Sequence, residues 1–189
     1  MSERIPALFI GHGNPMNALL VNPYTERWAA LGTAFPKPKG ILAVSAHWYI
    51  QDAAVTVSTA PRTIHDFGGF PRELYDVQYP APGDPDLAAH VQKLLAPLSV
   101  RRDERWGLDH GTWSVLCHLY PHADVPVVQL SIDETQPPSF RKLCSAALKK
   151  ASRRSPVIAS SRRAPAPRSP SAFWRTAHGR RTHTVGQLC

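Results

Sequence analysis

The sequence has few cysteines and no long hydrophobic segment. Its cysteines, Cys117, Cys144 and Cys189, are widely spaced and form no CxxC pair. An odd number of isolated cysteines argues against a disulfide framework and predicts reduced thiols. No apolar run reaches the roughly 18 residues that a membrane helix needs, and residues 1–6 contain no apolar core of a secretory signal. We therefore expect a cytoplasmic protein without a membrane partner.

Several common kinds of site are also missing. The sequence contains neither the GxxxxGK[ST] motif of phosphate-binding loops nor the GxSxG motif of serine hydrolases. Residues 11–13 (GHG) lack the third glycine of a dinucleotide-binding fingerprint. These patterns therefore do not support a nucleotide-binding protein or a serine hydrolase.

Acidic residues are absent from the C-terminal end of the sequence. Residues 151–189 carry eight arginines and no acid, whereas residues 1–150 are formally neutral, so this end accounts for the net charge of +8. Residues 161–189 are rich in Ser, Arg, Pro and Ala without a hydrophobic period, and we expect a disordered tail there. Such a tail would bind nucleic acid or anionic membrane through charge alone. Nonspecific polyanion binding is therefore one alternative function, and no specific nucleic-acid partner is expected.

Short apolar runs alternate with segments of helical period along residues 1–160. Buried strands are predicted at residues 6–10, 40–44, 54–58, 98–102, 125–132 and 156–160. Helices are predicted at residues 23–35, 85–95, 112–120 and 139–152, with Asp84 as the cap of the second. This alternation predicts an α/β fold with a mostly parallel central sheet flanked by helices.

Four histidines, His12, His47, His65 and His110, lie in predicted loops or at predicted strand ends beside small residues. His12 and His47 each follow an apolar strand, and ligands of open α/β sheets bind outside the carboxyl ends of the strands. Neutral imidazole is a common ligand of zinc and of non-haem iron. A single histidine of this kind is more often a hydrogen-bonded structural residue, so the pattern alone leaves both interpretations open.

Four motifs surround these histidines. They are GHGNPM at residues 11–16, SAHW at 45–48, TIHDFGGFP at 63–71 and WGLDHGTW at 106–113. Together, and in this order, they closely resemble the class III extradiol ring-cleavage dioxygenases, and most of all the DOPA 4,5-dioxygenase-like branch of that LigB-type family. The resemblance covers roughly residues 5–160.

The resemblance implies a role for each histidine. His12 and His47 would be metal ligands, His110 the acid/base residue of the active site, and His65 would lie on a loop that faces the substrate. Asp109, the sequence neighbour of His110, is a candidate to orient it. The implied activity is that of an oxidoreductase of aromatic compound metabolism, which opens the ring of a small catechol-type substrate with O2. Its cofactor would be a divalent metal, Fe(II) or Zn(II).

The implied chemistry suits these residue types. A catechol chelates a divalent metal through its two oxygens, and the metal lowers the catechol pKa and brings both reactants together. A histidine that titrates near neutrality can take the catechol proton and return it during ring opening. A zinc-binding relative with little oxygenase activity is a further alternative, which metal analysis would distinguish.

The sequence departs from the family pattern after Ser160. Family members continue with a Gly-Asn-x-x-His-Asn segment and a further C-terminal metal ligand, whereas residues 161–165 here read SRRAP. We hypothesise that the reading frame shifts near residue 160, which leaves the domain of residues 1–160 C-terminally incomplete. Tight sites normally have three or more protein ligands, so this hypothesis calls the activity of the chain into question. The other two frames of the same DNA test it.

Overall fold

The structure, a computed structural model, describes residues 7–136 and 157–161. The helix predicted at residues 139–152 lies outside this part of the chain, and so does the tail predicted at residues 161–189, except for Ser161. Cys144 and Cys189 also lie outside it, whereas Cys117 is a free thiol. Within the described residues, no helix is long and apolar enough to cross a membrane.

A six-stranded sheet forms the centre of the described structure. Its strands are β1 (Ala7–Gly11), β2 (Ile41–Ile50), β3 (Ala53–Thr56), β4 (Val100–Asp103), β5 (Val127–Asp133) and β6 (Val157–Ser161). Their order in the sheet is β1-β6-β2-β5-β3-β4, and neighbouring strands are parallel except β3 and β5, which pair antiparallel. The predicted α/β fold with a mostly parallel sheet is therefore confirmed.

Within residues 7–136, four helices lie between the strands. They are α1 (Pro23–Thr33), α2 (Arg72–Tyr75), α3 (Pro85–Leu95) and α4 (His110–Leu119), and a 3-10 turn covers Pro15–Ala18. Asn22 begins α1 with a capping box, in which its side chain accepts from the Thr25 N–H at 3.1 Å and the Thr25 hydroxyl accepts from the Asn22 N–H at 2.9 Å. Asp84 begins α3 by accepting from the Leu87 N–H at 2.9 Å, which confirms the predicted cap.

The start of β2, inside the sheet, is buried on both faces, as strands of parallel sheets generally are. Successive residues of β2 point to opposite sides, so Ile41 and Ala43 pack in one core with Trp28 of α1, while Leu42 packs in the other core with Val91 of α3. The continuous apolar run that predicted this strand follows directly from its burial on two sides.

The surroundings of His47 and His110 differ from the sequence-based expectation. β2 continues past His47 to Ile50 instead of ending before it, and its register with β5 shifts between Val44 and Tyr49. Residues 45–48 thus lie opposite Ser131 alone, an irregularity of the kind that redirects side chains beside active sites. His110 was expected in a loop, but it is the first residue of α4.

Candidate metal centre

Three of the four predicted histidines meet at one point. His12 directly follows β1, His47 lies in the irregular part of β2, and His110 begins α4. One ring nitrogen of each lies within 4.8 Å of those of the other two. The Nε2 atoms of His12 and His47 are 3.0 Å apart, and the ring centroids of His47 and His110 are 3.9 Å apart. The sheet topology thus joins residues that are far apart in sequence.

His65 lies beside this cluster and is not part of it. Its Nε2 is 3.0 Å from the carbonyl oxygen of Val77, and its ring packs against Trp113 with the centroids 5.5 Å apart. Phe67 separates it from the cluster, since the Phe67 ring lies 5.7 Å from the His65 ring and 5.5 Å from the His110 ring. A substrate-facing role for His65 stays a prediction.

Asp66 is the polar residue of the site that the sequence analysis missed. Its Oδ1 accepts hydrogen bonds from the backbone N–H of His110 and from the Nδ1 of His110, both at 2.9 Å. Its Oδ2 lies 3.5 Å from the Nδ1 of His47. Burial acts to raise the pKa of Asp66, but the hydrogen bonds and charge of His110 outweigh it and lower that pKa below its usual range. One anionic carboxylate therefore contacts two of the three histidines.

The expectation that Asp109 orients His110 is corrected by this geometry, because Asp66 makes the hydrogen bond to the His110 ring. The Asp109 carboxylate is fully buried and accepts from the Ser45 hydroxyl at 2.8 Å, from the Thr112 N–H at 3.2 Å and from the side-chain amide of Gln129. Burial raises the pKa of Asp109 to about 6. Asp109 thus links the start of α4 to β2 and β5 by hydrogen bonds.

Aromatic rings extend the site on the side of His110. The Phe67 ring lies 5.3 Å from Phe70, 5.1 Å from Tyr75 and 6.1 Å from Trp113, measured between centroids. Such rings attract another aromatic ring through offset or edge-to-face contacts. The motif at residues 63–71 contains two of them, but only the fold shows that Phe67 lies next to His110.

Gly107 allows the segment before Asp66 to lie against the segment before His110. Leu108 donates to the carbonyl of Arg62 and accepts from the N–H of Ile64, both at 2.8 Å. A Cβ on Gly107 would lie 2.0 Å from the Arg62 carbonyl oxygen, which is a backbone atom and cannot rotate away. The close approach at this position therefore requires glycine.

We expect Gly107→Ala to destabilise the fold by about 1–3 kcal/mol, the usual cost of overpacking. For a chain of this size, that corresponds to a decrease in Tm of roughly 2–4 °C per kcal/mol. Thermal unfolding measures the effect, and Gly68→Ala is the matched control because a Cβ there meets nothing within 4 Å. Equal Tm values for the two variants would contradict the close approach.

The imidazoles of His12 and His47 fit a divalent metal. Two nitrogens that bind one ion at about 2.1 Å lie about 3.0 Å apart when they are at right angles, and about 3.4 Å apart at the tetrahedral angle typical of zinc. The His12 and His47 Nε2 atoms are 3.0 Å apart. Neutral imidazole suits both zinc and iron. The Asp66 carboxylate on the far side of His47 is the kind of partner that metal-binding histidines usually have.

Comparison with known proteins identifies the family of the chain. A family model described as the catalytic LigB subunit of aromatic ring-opening dioxygenase matches residues 20–154. The chain therefore belongs to the LigB family of aromatic ring-opening dioxygenases, which confirms the family resemblance.

Individual relatives give the same result. The chain is 55% identical over 140 residues to the 4,5-DOPA dioxygenase extradiol of Escherichia coli K12, covering 74% of this chain and 52% of that protein. It is 45% identical to the protein of the same name from Beta vulgaris, covering 66% of this chain and 48% of the relative. A crystal structure of an uncharacterized protein from Escherichia coli K12 is 42% identical, with a TM-score of 0.65 over 82% of this chain and 58% of that one. The chain thus spans about half the length of the curated relatives it matches.

Proposed function

We propose that the chain carries the site of a metal-dependent extradiol dioxygenase, which opens the ring of a small catechol-type substrate with O2. The observation that supports this most strongly is the meeting of His12, His47 and His110, with ring nitrogens within 4.8 Å of one another. The names of the relatives, 4,5-DOPA dioxygenase extradiol, favour a catechol such as DOPA as the substrate.

In this proposal, His12 and His47 hold the metal, Fe(II) or Zn(II), through the Nε2 atoms that face each other. When bound, the metal acts as a Lewis acid that lowers the pKa of a catechol hydroxyl and holds the catechol next to O2. The backbone carbonyl of His12 accepts from the side-chain amide of Asn17 at 3.0 Å, which holds the backbone of the His12 loop in place.

His110 is the acid/base residue of this proposal. An anionic carboxylate only accepts hydrogen bonds, so the contact with Asp66 requires a proton on the His110 Nδ1 and leaves Nε2 to take up the catechol proton. Proton transfer requires the substrate hydroxyl to lie within hydrogen-bond reach of Nε2. Phe67, which contacts the edge of the His110 ring, is suited to orient the substrate ring, with His65 behind it.

The proposal is tested with the purified full chain, stripped of metal with a chelator and then reloaded with either Fe(II) or Zn(II). We expect oxygen uptake and a ring-opened product from DOPA or catechol only in the Fe(II)-loaded protein. Metal content is measured on each sample before the assay. If the protein binds Zn(II) tightly and neither form consumes oxygen, the chain is a metal-binding relative without oxygenase activity, and the dioxygenase proposal is wrong.

A further inference from the structure

We propose that Asp66 is a positioning residue that holds both His47 and His110 with Nδ1 toward its carboxylate and Nε2 toward the metal. This inference rests on the proposed function for the roles of the two histidines, but the arrangement that it describes is visible without a bound metal. It adds to the proposed site a residue that touches neither metal nor substrate and acts through two residues that do.

The two oxygens of the Asp66 carboxylate serve different histidines. Oδ1 lies 2.9 Å from the Nδ1 of His110, and Oδ2 lies 3.5 Å from the Nδ1 of His47. A carboxylate can only accept, so each Nδ1 that faces it is favoured in its protonated form. A neutral imidazole protonated at Nδ1 has its lone pair at Nε2, which is the atom needed for a metal bond at His47 and for proton uptake at His110.

The backbone around Asp66 fixes the carboxylate in this place. Two residues before it, Ile64 donates to the Leu108 carbonyl at 2.8 Å, and the Ile64 carbonyl accepts from the indole N–H of Trp113 at 2.8 Å. The hydrogen bond between Ile64 and Leu108 therefore joins the segment that precedes Asp66 to the segment that precedes His110. The His110 backbone N–H closes the arrangement by donating to Asp66 at 2.9 Å.

The Asp66 side chain is also sheltered, since it is only 19% exposed. An electrostatic contact at this depth is screened less than one on the surface. The 3.5 Å separation from the His47 Nδ1 is therefore short enough for the carboxylate to bias which nitrogen of His47 carries the proton. A purely structural role for Asp66 would need only the contact with the His110 backbone.

Asp66→Asn distinguishes a positioning role from a purely structural one, because it keeps the shape of the side chain. Its amide oxygen can still accept from His110, but its NH2 group then faces the Nδ1 of His47 as a donor. This favours the opposite tautomer of His47, with the proton on Nε2, which must be lost before a metal can bind. We expect the Zn(II) affinity of the full chain to fall by about 10- to 100-fold, the usual effect of removing such a partner.

The experiment combines a metal titration with a tautomer measurement. Zn(II) affinity is measured by competition with a chromophoric chelator in the wild type, in Asp66→Asn and in Asp76→Asn, an exposed carboxylate on the same segment that serves as control. Nitrogen NMR of 15N-histidine-labelled, metal-free protein then reports which ring nitrogen is protonated. We expect Nδ1–H at His47 and His110 in the wild type and in the control, and Nε2–H at His47 in Asp66→Asn.

Either of two results would overturn the inference. One is unchanged Zn(II) affinity and tautomers in Asp66→Asn, and the other is an Nε2–H tautomer at His47 or His110 in the wild type. The second needs no variant, so the inference remains testable even if Asp66→Asn does not fold. Because neither measurement uses dioxygenase activity, a chain that binds Zn(II) as expected but opens no ring would refute the proposed function and leave the role of Asp66 intact.

Discussion

His110→Gln is expected to lower kcat for ring opening by about 100- to 10,000-fold, the usual contribution of a general acid or base. An amide cannot take up a proton at neutral pH, so the proton of the catechol hydroxyl has no acceptor in this variant. The two Nε2 atoms that face each other, those of His12 and His47, are untouched. The metal content of the purified protein should therefore stay the same while kcat falls, as measured by oxygen uptake at saturating catechol.

The matched control for this variant is His122→Gln, because His122 is exposed, lies in the connection between α4 and β5 and is not one of the three clustered histidines. We expect the control to keep both its metal and its activity. A His110→Gln protein that lost its metal together with its activity would make His110 a third ligand, since its ring nitrogen also lies within 4.8 Å of the others. The acid/base assignment would then be wrong.

Local patterns predicted the elements of the fold well because their causes are local. The Asp84 cap and the apolar spacing of α3 lie within one stretch of chain, and the buried run of β2 records its burial on both faces. The extension of β2 past His47 was missed for the opposite reason. That stretch is held by pairing with β5, which is distant in sequence, and its register shift leaves no signal in the order of the residues.

The site shows the same division between local and long-range causes. The strand ends and the four motifs identified His12, His47 and His110, and the fold brings these three together. Asp109, the sequence neighbour of His110, was expected to be its partner. A residue just before a helix commonly caps that helix instead, as Asp109 does. Asp66 reaches the His110 ring through a loop that is 44 residues away in sequence. The backbone bonds of Leu108 to that loop, together with the bond from the Trp113 indole to the Ile64 carbonyl, bring them together.

His12→Ala is expected to weaken metal binding by at least about 100-fold, more than the loss of an outer partner of a metal ligand costs. The variant removes one of the two Nε2 atoms that lie 3.0 Å apart, while Asn17 still holds the backbone carbonyl of residue 12.

Thermal unfolding with and without Zn(II) measures the effect. At a free metal concentration 100 times its Kd, a single site stabilises the folded state by about 2.7 kcal/mol, which raises the Tm of a chain of this size by roughly 5–10 °C. We expect the wild type to show this increase and His12→Ala to show almost none.

His118→Gln is the control that separates a lost ligand from a weakened fold. His118 packs against Trp28 of α1, and its Nε2 is 2.7 Å from the carbonyl oxygen of Asn17, so its replacement lowers stability without removing a ring nitrogen of the cluster. The Tm of this variant should fall by a similar amount with and without Zn(II), which leaves the increase caused by the metal intact. If His12→Ala kept the full increase, the metal would be bound elsewhere in the chain. The proposed centre would then lose one of the two Nε2 atoms on which its geometry depends.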